Sequence, residues 1–210
     1  MTRSPGIRTT ALLGVPVLLA YLNGISGSFQ FDDFNVIVDN PVVHSFEAWW
    51  DDLGHGIRPL LKLSYVINWI VGPDVLGFHV FNVGVHIANV VFVYVLARLL
   101  IEGYGEPVGR HAPAAAAIAA LLFALHPAQS EAVTYISGRS TSLMATFYLG
   151  SVVSYIAGSL RERGVALRAL SALLFVLAIE TKESAIALPL ALIVWEASRP
   201  EPLTWMQVTR

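Results

Sequence analysis

Residues 78–101 read FHVFNVGVHIANVVFVYVLARLLI, twenty-four residues with one formal charge, Arg98. As an α-helix this run is about 36 Å long, more than the roughly 30 Å hydrocarbon thickness of a bilayer. Backbone in lipid must satisfy its own N–H and C=O groups, so the run points to a helical membrane protein. Composition agrees. Only 13% of the 210 residues are charged and the mean hydropathy is +0.63, whereas soluble domains carry about 25% charged residues. The expected fold is all-α, a polytopic integral membrane helical bundle forming one membrane domain over residues 1–210.

Five further apolar runs extend the pattern. The expected spans are about 9–27, 78–101, 113–125, 141–159, 165–179 and 184–197, with a long loop over 28–77. LLGVPVLLAYLNGI, residues 12–25, has a signal-peptide-like flank in Arg3 and Arg8. It lacks a small-x-small cleavage site and is read as a retained first span. The last two runs are short for a crossing, and Pro189 is placed to kink the final one. The alanine-rich stretch 113–120 predicts a close helix–helix contact. VHSFEAWWDDL, residues 43–53, is expected to lie along the interface, with Trp49 and Trp50 at headgroup depth.

Six crossings with a cytoplasmic N-terminus place Arg3, Arg8, Arg98, Arg110, Arg161, Arg163, Arg168, Arg199 and Arg210 on the cytoplasmic side. The opposite side holds Arg58, Lys62, Arg139 and Lys182. That asymmetry follows the positive-inside rule, and it makes each outer cation a residue to explain. The net charge of −2 offers no basic field for nucleic acid. With no cysteine, thiolate and disulfide chemistry are absent. The six histidines have no metal-motif spacing, so no metal is assigned.

The outer segments hold the chemistry. FQFDDFNVIVDN, residues 29–40, sets Asp32 and Asp33 among phenylalanines. An adjacent carboxylate pair in apolar surroundings suits a general base or an acceptor-orienting group; a solvated loop or cap is the plain alternative. In GIRPLLKLSYVINW, residues 56–69, Arg58 and Lys62 are four apart, sharing a face if helical. Both suit phosphate, and interfacial snorkelling also explains them. HPAQSEAVTYISGR, residues 126–139, carries His126, Glu131 and Arg139, with a helix start near Pro127 able to face an anion or serve as an ordinary turn. AIETKES, residues 178–184, puts Glu180, Lys182 and Glu183 between short apolar runs. Charges at that depth usually face a cavity or a partner. On the second span His79, Asn82, His86 and Asn89 form a seven-residue-spaced stripe, read as helix–helix hydrogen bonding rather than metal ligation.

FDDFNVIVDNPVV, RPLLKLSYVINW, FHVFNVGVHIAN, FALHPAQSEAVTYISGRSTSLMATFYL and ETKESAIALP occur here in one order. Together they resemble the N-terminal membrane half of the transmembrane, tetratricopeptide-containing O-mannosyltransferases and their bacterial relatives, within the GT-C glycosyltransferases. The resemblance covers about residues 8–195. It implies a sugar, mannose being the family's, transferred from a polyprenyl-phosphate donor to a hydroxyl acceptor, such as a protein, on the periplasmic or luminal side. It places catalytic carboxylates at Asp32 and Asp33, with Asp33 slightly favoured. It assigns donor phosphate or sugar binding to Arg58, Lys62, His126, Glu131, Arg139, Glu180, Lys182 and Glu183, and horizontal helices to the first loop. The expected location is a bacterial inner membrane with the site facing the periplasm. Family members continue through further spans and repeats, so the chain is expected to be a fragment or a short relative that works with an additional membrane domain or subunit. The same features also fit a lipid-linked sugar transporter, a flippase-like binder or a noncatalytic membrane subunit.

Overall fold

The computed structural model describes residues 7–198. Arg3, Arg199 and Arg210, three of the cations assigned to the cytoplasmic side, lie outside the described residues. Among the described residues all regular structure is helical: α1 (Ile7–Tyr21), α2 (Phe46–Asp52), α3 (Pro59–Val71), α4 (Val75–Glu102), α5 (Ala112–Ala124), α6 (Gln129–Thr134), α7 (Arg139–Ser159), α8 (Val165–Thr181) and α9 (Leu188–Ala197). Short 3-10 and π turns join them.

Among the described residues, three helical segments are long and apolar enough to cross a membrane: Arg8–Ser26, Val75–Glu102 and Ile136–Ser159. Outward-facing Leu12, Leu19, Val80 and Ile118 are more than half exposed, as lipid-facing side chains are in a bilayer protein. The chain is a multi-pass membrane protein. The expectation of six crossings meets three helices of spanning length, because the others stop early. Helix α5, with 13 residues, ends before His126-Pro127. The 17 residues of α8 end where Lys182 turns extended at φ −159° and ψ 129°, and only a 3-10 turn, Glu183–Ala187, precedes α9. At 1.5 Å per residue, α5 and α8 reach about 20 and 26 Å. Pro189 does not kink α9; it occupies the first turn, where a missing N–H costs nothing.

Helix α4 is the axis of the fold. Its stripe residues point inward: Asn89 Nδ2 donates to the Ser142 carbonyl at 2.8 Å, His86 Nε2 lies 3.0 Å from the Ala124 carbonyl, and Asn82 Nδ2 donates to carbonyls at 133, 135 and 136. Ala112, Ala116, Ala120 and Ala124 recur every fourth residue of α5 and are fully buried, which lets α5 lie close against α4 as small residues do in membranes. Leu13, Val17 and Tyr21 of α1 close this core on the other flank.

The loop over 28–77 packs against the start of α4 and the segment before α7. Ile37, Val43, Leu61, Tyr65, Val66, Phe78 and Ile136 form a second core. Within the loop His44 stacks on Trp69 with ring centroids 3.8 Å apart, and Trp49 Nε1 donates to the Pro59 carbonyl at 2.8 Å. Residues 46–52 do form the helix α2, with Phe46 and Trp50 exposed beside the partly buried Trp49.

Candidate functional site

The short segments at one end of the bundle meet around the start of α7. Phe31 takes a left-handed conformation, φ 45°, unusual without glycine. It turns the chain so that Asp32 and Asp33 face different surroundings. Asp33 is buried, and its carboxylate is fully engaged. Oδ2 accepts from the Gln30 N–H at 2.9 Å; Oδ1 accepts from the Ser137 N–H at 2.8 Å and from the Ser137 hydroxyl. Asp32 is exposed. Its backbone N–H donates to the Tyr135 hydroxyl at 2.9 Å, and no hydrogen bond engages its carboxylate among the described residues.

Two cations reach the same region. The Lys182 ammonium donates to Thr141 Oγ1 at 2.8 Å. Thr141 lies four residues after Ser137, about one helical turn or 6 Å of rise. The Asp33 and Lys182 anchors therefore sit on successive turns of one segment. Arg58 grips Glu183 through two bonds, Nε to Oε2 at 2.9 Å and Nη2 to Oε1 at 2.6 Å. This fork is the strong form of a guanidinium–carboxylate contact. The hydrogen bonds from Arg58 hold the Glu183 carboxyl well below the usual carboxylate range, at about 2, and those same bonds push the Arg58 guanidinium above its ordinary value.

Lys62, Arg139, His126 and Glu180 make other contacts. Arg58 and Lys62 do not share a helical face. Pro59 takes the first turn of α3, where its missing N–H costs nothing, so Arg58 stands outside the helix as its N-cap, at φ 55° and ψ 51°, while Lys62 pairs with Asp52 within the loop. Arg139 is not at an outer surface. It is fully buried, donating to Asn82 Oδ1 at 2.7 Å, the Ser64 carbonyl at 3.1 Å and the Phe78 carbonyl at 3.1 Å, with its guanidinium over the rings of Tyr65, Phe78 and Phe81. Those helix carbonyls and rings balance its charge. His126 is exposed and its Nδ1 accepts from the Ala128 N–H at 3.2 Å, a local turn ahead of the six-residue α6. Glu180 is exposed on the last turn of α8.

Glu131 meets Asp33 across a cavity of about 640 Å³, lined also by Phe31, His79, Thr134 and Tyr135. Tyr135, Ser137 and Thr141, which receive the first and third outer segments, were not singled out by motif. Their partners are 41 to 104 residues away, and pairing at such range leaves no local pattern. Among the described residues no three metal-ligating side chains gather.

No family model matches the chain, and no solved structure matches it. Among curated proteins it is similar to the protein O-mannosyl-transferase F38B6.6 of Caenorhabditis elegans, 30% identical over 169 residues, which is 73% of this chain and 24% of the relative. It is 32% identical over 165 residues to the mouse protein O-mannosyl-transferase TMTC4, covering 69% of this chain and 22% of that one. The human protein O-mannosyl-transferase TMTC3 aligns over 188 residues at 27%, covering 82% and 19%. The chain thus spans about a quarter or less of the length of these relatives, and this partial similarity supports its membership in the broad family of such transferases.

Proposed function

We propose that the chain forms the substrate-binding and catalytic end of a GT-C-type glycosyltransferase that moves a sugar, mannose by the names of its relatives, from a polyprenyl phosphate to a hydroxyl acceptor. The observation that carries this reading is the convergence at the start of α7. A free carboxylate (Asp32), a buried and saturated one (Asp33), and the cations Lys182 and Arg58 are tied there by side chains from three separate segments. Glycosyl transfer needs both parts, a base for the acceptor and positive charge for a leaving phosphate.

Asp32 is the base in this scheme. Its carboxylate takes the acceptor proton as the acceptor oxygen bonds to the anomeric carbon. The bond from that carbon to the phosphate oxygen breaks, and the polyprenyl phosphate departs with the electron pair, inverting the anomeric centre. Asp33 acts as the positioning residue, because its three accepted bonds hold the 30–33 turn against Ser137. Lys182 keeps ammonium donors beyond the one that Thr141 accepts, and these meet the phosphate. The Arg58–Glu183 fork ties the first loop to the α8–α9 turn and holds Lys182 in place. In this reading α5, α8 and α9 complete six crossings, with short helices matched by tilted or locally thinned lipid, and the cluster faces the periplasm or lumen.

The test is transfer of radiolabelled mannose from polyprenyl-phosphate mannose to a hydroxyl acceptor by the purified full chain in lipid nanodiscs. Transfer that depends on Asp32 establishes the reading; donor binding without turnover, unchanged in Asp32→Asn, overturns it in favour of a lipid-sugar binder. Single-cysteine labelling at Glu106 tests the topology, which fails if that position is reached from the side of the carboxylates.

A further inference from the structure

We infer that the groove between the outer ends of α1 and α4 seats the hydrocarbon chain of an uncharged, hydroxyl-headed membrane lipid, whose head enters the cavity beside Asp33 as the acceptor of the transfer. The acceptor role rests on the transferase reading; the lipid seat stands without it.

The groove has a volume of about 250 Å³. Leu18, Tyr21, Leu22 and Ile25 form one wall, and Val80, Val83, Gly84 and Ile87 form the other. Both sets follow the i, i+3, i+4, i+7 spacing of a single helical face, and on α4 they rise about 10 Å. Leu22 and Val80 are 60% and 56% exposed, so the groove opens towards the lipid. Glycine weakens a helix interior, and no packing contact requires one at position 84, where an added Cβ would meet nothing within 4 Å. The missing side chain leaves the groove open.

The groove meets the cavity through one short segment. In the 3-10 turn Leu22–Ser26, residues three apart fall on the same side. Leu22 and Ile25 line the groove, whereas Asn23 and Ser26 line the cavity. On α4 the boundary falls between His79 in the cavity wall and Val80 in the groove wall. An apolar seat continuous with a polar one fits an amphiphile, and charge selects its head. Asp33 and Glu131 line the cavity, and no lysine or arginine does among the described residues. Lys182 and Arg58 are engaged with Thr141 and Glu183 instead. Two carboxylates without a cation repel a phosphate head, whereas a hydroxyl head donates to carboxylate oxygen. Phe31 and Asp33, on either side of Asp32, line the same cavity, as does Tyr135, whose hydroxyl accepts from the Asp32 N–H. The lipid head thus lies beside the proposed base. Its oxygen bonds to the anomeric carbon, its proton passes to Asp32, and the polyprenyl phosphate leaves with the electron pair.

The experiment photolabels the full chain in nanodiscs with a diazirine-bearing diacylglycerol and maps the labelled residues by mass spectrometry. Expected is labelling concentrated at residues 18–25 and 80–87, displaced by dioleoylglycerol but not by dioleoyl phosphatidate, which has the same chains and a phosphate. Gly84→Leu fills the groove and lowers that labelling about tenfold, the effect of excluding about two methylenes from an apolar seat. Gly84→Ala, one carbon larger than the parent, lowers it about two- to fourfold and keeps the test if Gly84→Leu does not fold. Ile118→Phe, at an exposed position of α5, leaves it unchanged. Labelling spread evenly over the lipid-facing helices overturns the proposal, as does labelling unchanged in both Gly84 variants or displaced equally by phosphatidate. A second arm supplies polyprenyl-phosphate mannose with a radiolabelled sugar. Transfer to dioleoylglycerol supports the acceptor role, whereas transfer to a blocked serine peptide alone overturns that role and leaves the transferase reading standing. Groove labelling without transfer to either acceptor sinks the transferase reading and leaves the lipid seat standing.

Discussion

Replacing Arg139 with methionine separates a folding role from a substrate role for the most deeply buried cation in the described chain. Arg139 makes no ion pair among the described residues; its charge rests on one amide oxygen, two helix carbonyls, the Ser64 hydroxyl and three aromatic rings. Methionine fills much of the same volume but donates nothing. Asn82 Oδ1 then loses its 2.7 Å charge-assisted bond, worth about 2–3 kcal/mol. The Ser64 and Phe78 carbonyls lie within or beside helices that can still occupy one lone pair, so each loses about 1 kcal/mol. Ring–cation attraction adds up to about 2 kcal/mol when desolvated. Against these stands the relief of no longer burying a cation, a few kcal/mol that offset part of the loss. The net expected destabilisation is about 2–4 kcal/mol, because Asn82 Oδ1 and the carbonyls lose a donor while no charge remains buried. Lysine keeps the charge but presents a point rather than a fork, and its loss falls between methionine and the parent.

The assay is unfolding in mixed micelles against SDS mole fraction, followed by tryptophan fluorescence, with polyprenyl-phosphate binding measured on the folded fraction. Expected is a large shift of the unfolding midpoint with binding intact per folded molecule. An Arg139→Met variant within about 1 kcal/mol of the parent that nevertheless loses polyprenyl-phosphate binding refutes the structural assignment and returns Arg139 to the donor site.

Asp32→Asn is expected to abolish turnover while leaving thermal stability and donor affinity near parent values, whereas Asp33→Asn lowers stability by about 1–3 kcal/mol through its bonds to Gln30 and Ser137; turnover assays with thermal melts check both. Gly138→Ala destabilises the α6–α7 corner strongly, because its Cβ would lie 2.3 Å from the Glu131 carbonyl oxygen, and loss of the folded peak in size-exclusion chromatography reports it. Ala120→Leu overpacks the α4–α5 contact at a fully buried position and costs about 1–3 kcal/mol in the same SDS titration. Because Arg58 depresses Glu183 to about 2 from an ordinary 4.5, the stabilising pair is fully present above the unfolded value. The stability difference between parent and Glu183→Gln is therefore flat from pH 5 to 8 and shrinks as pH falls from 4.5 towards 2.

What could be read from the chain alone follows a physical divide. Apolar length and helical periodicity are local, so the residues of α4, α5, α7 and α8 were legible to within a few positions, and the Asn82, His86 and Asn89 stripe correctly marked the buried face of α4. The lengths of the shorter helices were less legible, because apolar composition does not reveal where a helix stops; the extended Lys182 and the early end of α5 do that. Arg58 carries a different lesson. Its spacing from Lys62 suggested one face, yet Pro59 was visible in the sequence and already argued that Arg58 lies outside the helix. The destinations of Arg139 and His126 were not legible, since charge alone does not distinguish a cation facing a ligand from one enclosed by carbonyls.

The two aspartates show how the enclosed and the open parts of the site depend on each other. Asn82 accepts from Arg139 at the first turn of α7 while donating to the carbonyls of residues 133, 135 and 136. Those carbonyls belong to the strand of backbone that carries the Tyr135 hydroxyl and the Ser137 N–H, the groups that receive Asp32 and Asp33. A cation at the core therefore braces, through one asparagine, the turn on which both carboxylates hang. Polar groups placed this deep in an apolar bundle are costly unless every member is satisfied, and here the network is filled by Arg139, Asn82 and Asp33 in turn. The exposed Asp32 carboxylate is left outside it, held in position by its backbone alone.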